Sequence, residues 1–140
     1  MGDFFRSLYL KNMSEIDLHR EWVGKQVVDI AYHLHKELGP GLLEKIYEAC
    51  FCYELQKRNI EYVTQKKVPI HYDNVRFEEA LRLDLLVDDL VIIEIKAQEN
   101  YHPVWEAQLL SYLRLTNKRL GYIINFTVPL IKTGIKRMVL

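Results

Sequence analysis

Apolar residues at Val23, Val27, Ile30, Ala31, Leu34 and Leu38 recur every three or four positions. That is the spacing of one helical face, and it predicts a helix over about residues 16–38. Gly39-Pro40-Gly41 interrupts the pattern, after which Leu43, Ile46, Tyr47, Cys50, Phe51 and Leu55 predict a second helix over about 42–58. The short break makes the two an antiparallel pair. Runs 62–72, 79–87 and 90–97 carry strand-forming residues and are separated by Asp73-Asn74 and Asp88-Asp89 turn signals, which predicts a β-meander. Pro103 starts a third helix reaching about Leu115, because its ring suits the first helical turn. Residues 119–126 read as a buried strand and 135–140 as a short terminal one. The order α-α-β-β-β-α-β-β predicts an α/β (α+β) fold, with a mixed central sheet flanked by helices and an αα-hairpin on the N-terminal side.

Three charged residues interrupt the most apolar of these strands. Arg82-Leu83-Asp84-Leu85-Leu86-Val87 and Leu90-Val91-Ile92-Ile93-Glu94-Ile95-Lys96 place Asp84, Glu94 and Lys96 where an uncompensated charge costs several kcal/mol. Because side chains alternate along a strand, Glu94 and Lys96 share one face while Ile93 and Ile95 share the other. Two acids on neighbouring strands can hold a hard divalent cation. Register decides whether they meet. A two-residue loop pairing Val87 with Leu90 would set Asp84 opposite Ile93, whereas a three-residue loop at 88–90 would pair Val87 with Val91 and bring Asp84 opposite Glu94. An odd loop or a bulge is therefore expected. Glu-x-Lys also occurs as an ordinary same-face surface pair, so this pattern alone does not establish a site.

The chain has 140 residues, 49% of them apolar and 27% charged, which fits one globular domain large enough to bury its own core. Residues 1–13 read as a loosely attached extension ahead of a single domain at 14–140. No apolar run is long enough to span a bilayer, and residues 1–10 lack the core and cleavage site of a signal peptide, so an intracellular, cytoplasmic location is expected and no membrane partner. Cys50 and Cys52 lie two apart on a helix, facing nearly opposite sides, and read as small buried hydrophobes in a reducing compartment. The five histidines show no metal-ligand spacing. Net charge is zero, yet residues 103–140 hold six basic residues (Arg114, Lys118, Arg119, Lys132, Lys136, Arg137) against Glu106, while the first 102 hold 13 basic and 18 acidic. A basic third beside a carboxylate-rich centre suits a phosphate backbone, although a solvated, incidental asymmetry is an equal reading.

Glu44 sits in the first turn of the second helix with Tyr47 beside it. A carboxylate there also serves the helix dipole. Gln108 and Tyr112, four apart, share a face of the third helix, where a glutamine can donate to a phosphate or simply pack. Together with Gly41-Leu42-Leu43-Glu44-Lys45-Ile46-Tyr47, Arg82-Leu83-Asp84, Ile93-Glu94-Ile95-Lys96-Ala97, Glu106-Ala107-Gln108-Leu109-Leu110-Ser111-Tyr112-Leu113 and Gly121-Tyr122-Ile123-Ile124-Asn125-Phe126, these residues resemble the GxxExxY family, a branch of the PD-(D/E)XK nuclease superfamily. The likeness covers about residues 14–140. It implies a restriction-endonuclease-like core, a four-stranded mixed sheet with the active site at one sheet edge. It also implies a Mg²⁺ or Mn²⁺ cofactor held by Asp84, Glu94, the Ile95 carbonyl and Glu44. Lys96 would orient the attacking water, with Gln108 completing the catalytic set and Tyr47, Tyr112 and Arg82 at the substrate. Leu83 stands where the signature has proline before the aspartate. The expectation is a metal-dependent nuclease acting on nucleic acid, DNA over RNA. The rival is a catalytically silent module of the same fold acting through a homodimer or protein partner. A small-molecule enzyme using the same metal site is disfavoured by the basic third.

Overall fold

The computed structural model describes residues 2–140; of the N-terminal extension, Met1 lies outside the described residues. Residues 2–11 form a helix, α1 (Gly2–Lys11), whose side chains from residue 2 to 8 are exposed. Two long helices follow, α2 (Glu15–Leu38) and α3 (Glu44–Lys57). A capping box starts α2: the Ser14 hydroxyl accepts the Asp17 N–H at 3.2 Å while Asp17 accepts the Ser14 N–H at 3.4 Å. The break between α2 and α3 needs glycine, because Gly39 and Gly41 take φ of +70° and +97°.

A five-stranded sheet has the order β1-β2-β3-β4-β5, with β1 (Tyr62–Tyr72), β2 (Val75–Val87), β3 (Val91–Lys96), β4 (Leu120–Asn125) and β5 (Ile135–Val139). All neighbours are antiparallel except β3 and β4. That parallel pair requires a crossover, supplied by α4 (Val104–Thr116). A short turn of helix, α5 (Ile131–Gly134), leads into β5. The fifth strand extends the four-stranded sheet that the resemblance implied.

Strand β2 starts at Val75, four residues earlier than the pattern suggested, because Asp73-Asn74 is a two-residue turn that pairs Tyr72 with Val75. A register shift between Val68 and Ile70 brackets Pro69, which has no N–H to give the pairing. Between β2 and β3 the loop has three residues. Val87 pairs with Val91, Leu90 N–H bonds Val87 O at 3.0 Å, and Asp88 and Asp89 both take left-handed φ near +52° and +53°. The odd loop is present, and one step beyond the last β2–β3 pair, Leu85 with Ile93, the same count sets Asp84 beside Glu94.

The centre of the sheet, formed by β3, β4 and the end of β2, is buried on both faces. Against α2 and α3 lie Leu85, Val87, Val91, Ile93, Ile95, Tyr122 and Ile124; against α4 lie Leu83, Leu86, Ile92 and Ile123. Approach of α4 is close at Gly121, where a Cβ would stand 3.0 Å from Leu109 and 3.2 Å from the Ile92 carbonyl. Cys50 and Cys52 are free and half-buried. No helix among the described residues is long and apolar enough to cross a membrane.

Candidate active site

Regular pairing between β2 and β3 ends at Leu85 and Ile93. One step further, carboxylates replace backbone partners. The Ile95 N–H donates to Asp84 Oδ2 at 2.9 Å, and the Asp84 N–H points at Glu94 Oε1 at 3.5 Å. Since the N–H and C=O of a strand residue leave the same side, the Ile95 carbonyl faces the Asp84 side of the opening. The two acids therefore meet on the interior strands β2 and β3, at the point where their pairing opens.

Glu94 is 5% exposed. Burial pushes its carboxyl up to about 9, the Asp84 carboxylate adds to the rise, and Lys96 pulls the other way. Lys96, two residues on and on the same face, holds its ammonium 5.4 Å from the Trp105 ring centroid. Among the described residues it makes no ion pair with any acid. The Trp105 platform is itself braced: Tyr101 packs edge-on against it and donates to Glu106 Oε2 at 2.6 Å.

Glu44 opens α3 from the opposite face of the sheet. Partial burial and the Asp84 carboxylate raise its carboxyl, while Lys96 lowers it, so all three groups share one field. Tyr112 on α4 is half-buried, and burial, then Glu94 and Asp84, raise its hydroxyl. Gln108, one turn earlier, is exposed and makes no side-chain hydrogen bond among the described residues, as is Arg82 on β2. Tyr47 is elsewhere. It is fully buried, stacks on Phe126 with centroids 4.4 Å apart, donates to Gly39 O at 2.6 Å and accepts the Leu42 N–H at 3.1 Å. Expected at the substrate, it instead clamps the turn from which Glu44 starts.

Asn125 was missed as a positioning residue. It is 3% exposed, its Oδ1 accepts the N–H groups of Gln98 and Thr127, and its Nδ2 donates to Gln98 O. Beside the Phe126 N–H to Lys96 O bond, it fixes the chain as it leaves Lys96. A polar residue ending the apolar run Leu120–Ile124 was the available signal. The basic C-terminal third is not one open patch, because Lys118, Lys136 and Arg137 pair with Asp89, Glu106 and Glu21.

Among the described residues no group of three or more His, Cys, Asp or Glu side chains converges to hold an ion. What is assembled is the Asp84–Glu94 pair and the Ile95 carbonyl, with Glu44 standing off. All are oxygen donors, and half-buried Asp84 stands beside the buried Glu94 carboxyl with no side-chain cation paired to either, which fits a hard divalent ion. No curated protein and no solved structure matches the chain. A family model for the PD-(D/E)XK nuclease superfamily matches residues 21–138, a span containing every element from most of α2 to β5 and all the acids above, and the chain belongs to that superfamily.

Proposed function

We propose that this protein is a metal-dependent phosphodiesterase that hydrolyses nucleic acid, DNA in preference to RNA, and that Mg²⁺ or Mn²⁺ is its cofactor. The observation that carries this reading is the pairing of half-buried Asp84 with buried Glu94 at the point where β2 and β3 part, with Lys96 on the same face and unpaired. Asp84, Glu94 and the Ile95 carbonyl would hold the ion, with Glu44 binding a second one or ordering water. The bound ion supplies Lewis acidity and makes water nucleophilic at neutral pH.

The chain's own residues supply the rest. Lys96, resting on Trp105 and not spent on an acid, orients the attacking water and offsets charge gathering on the phosphate oxygens. The Tyr112 hydroxyl, its pKa raised, stays protonated and can donate to the substrate. Gln108 and Arg82 present an amide and a guanidinium from exposed positions to the flanking backbone. Placement within the GxxExxY branch rests on motif resemblance.

The test is calorimetric titration of Mg²⁺ and Mn²⁺ into wild type, Asp84→Ala and Lys96→Ala, with cleavage of single- and double-stranded DNA and of RNA on the same samples. Asp84→Ala should lose ion binding and at least about a hundredfold in cleavage. Lys96→Ala should bind the ion and lose cleavage. Full cleavage by Lys96→Ala would overturn the mechanism, and folded wild type that neither binds nor cuts would leave the silent, partner-binding module.

A further inference from the structure

Six non-glycine residues have a left-handed backbone among those described: Asn59, Asp73, Asp88, Asp89, Asn117 and Gln65. Five are Asn or Asp at chain reversals, where that conformation is tolerated. Gln65 is the exception. Its φ is +50°, and it lies inside strand β1.

Its position is specific. Thr64 pairs with Leu85 and Lys66 with Leu83, so Gln65 lies opposite Asp84 with no residue gained or lost. At the same point β2 changes which way it faces. Leu85 and Val87 pack toward α2 and α3 and Leu86 toward α4, so simple alternation would turn Leu83 toward α2 and α3, yet it packs with Leu86 against α4. The reversal falls at Asp84, where pairing with β3 stops and the carboxylate takes the Ile95 N–H. The side chain of Gln65 reaches the other way: its Nε2 donates to Glu48 Oε1 at 2.8 Å, one helical turn beyond Glu44 on α3.

We infer that Gln65 is a positioning residue for Asp84: its left-handed backbone kinks β1 where β2 must reverse its facing, and its amide ties the kink through Glu48 to the helix that carries Glu44. The strand and the helix that bring acids to the site are thereby braced against each other. Strain of this kind in a β-rich position persists only where surrounding structure enforces it. The catalytic consequence rests on the proposed nuclease function; the positioning itself does not.

The experiment separates the two. Gln65→Gly keeps the kink at no steric cost and removes the tie, Gln65→Asn keeps the kink and an amide, and Gln65→Val opposes the kink through its branched Cβ. Hydrogen exchange of the Ile95 amide, followed by NMR in metal-free protein, reports whether Asp84 still accepts its N–H, with Asp84→Ala as the unprotected reference. In Gln65→Val this amide should exchange at least about tenfold faster, and Mn²⁺ affinity should fall by a similar factor. Gln65→Asn should stay within about threefold of wild type in both, whereas Gln65→Gly, which keeps the kink but loses the tie, should fall between Gln65→Asn and Gln65→Val. If Gln65→Val does not fold, Gln65→Ala, with a milder penalty, should give an intermediate acceleration. Wild-type exchange at Ile95 in the folded Val or Ala variant, or equal loss in the Gly variant, overturns the assignment. Absence of Mn²⁺ binding in wild type would count against the nuclease reading alone, since the Ile95 amide still reports the positioning.

Discussion

From Val91 to Ile93, strand β3 is paired on both sides, with Val87, Leu86 and Leu85 on one and Leu120, Gly121 and Tyr122 on the other, and all three of its side chains are fully buried. From Glu94 to Lys96 the regular pairing continues only toward β4, and on the β2 side two carboxylates stand where backbone groups would be. The same six-residue strand thus serves as core in one half and carries the candidate site in the other. Apolar burial pays for the first half, and the second carries an acid pair in which burial and the Asp84 carboxylate keep Glu94 protonated. Mutations in the two halves should therefore fail in different ways.

The largest stability effect is expected in the regular half. Ile93→Ala, which empties a fully buried position, should cost about 2–5 kcal/mol in urea unfolding while the surviving folded fraction still binds Mn²⁺. In the open half stability depends on pH. Glu94 has its carboxyl raised from 4.5 to about 9 in the folded protein. Between those values the folded state keeps a proton that the unfolded chain releases, so unfolding is favoured as pH rises, at a limiting slope of about 1.4 kcal/mol per pH unit. Without metal, stability should fall from about pH 5 to 9. Glu94→Gln should flatten that fall and be the more stable protein at high pH, whereas an unchanged slope would show that Glu94 is ionised when folded.

Smaller effects test the supports. Tyr47→Phe leaves the Leu42 N–H and the Gly39 carbonyl without their partner and should cost about 1–2 kcal/mol, with cleavage reduced far less than by Asp84→Ala. A large selective loss of substrate affinity in Tyr47→Phe would return it to the substrate. At the loop beyond the regular end, His19 meets Asp88 on the surface. His19→Ala should change the unfolding free energy by less than about 1 kcal/mol, and less still in high salt.

Most of the fold was legible because its signals are local. Helical periodicity placed α2 and α3, Pro103 marked the start of α4, and the strand-forming runs and turn residues placed the strands to within a few positions; β2 was misjudged at its start because the half-polar stretch Val75–Glu78 lies in an exposed part of the hairpin with no buried face to read. The meeting of Asp84 with Glu94 was also legible, since it follows from counting a three-residue loop. Tyr47, Asn125 and Gln65 were not. What each side chain does depends on partners far along the chain: Phe126 for Tyr47, Gln98 for Asn125, Asp84 and Glu48 for Gln65. Chain order and side-chain chemistry set which acids could form a site, because periodicity and loop length are properties of neighbouring residues. Which groups are buried, strained or left unpaired at that site was settled only when α3, β1 and α4 packed around the opening in the sheet, because desolvation and long-range contact do not exist until the chain is folded.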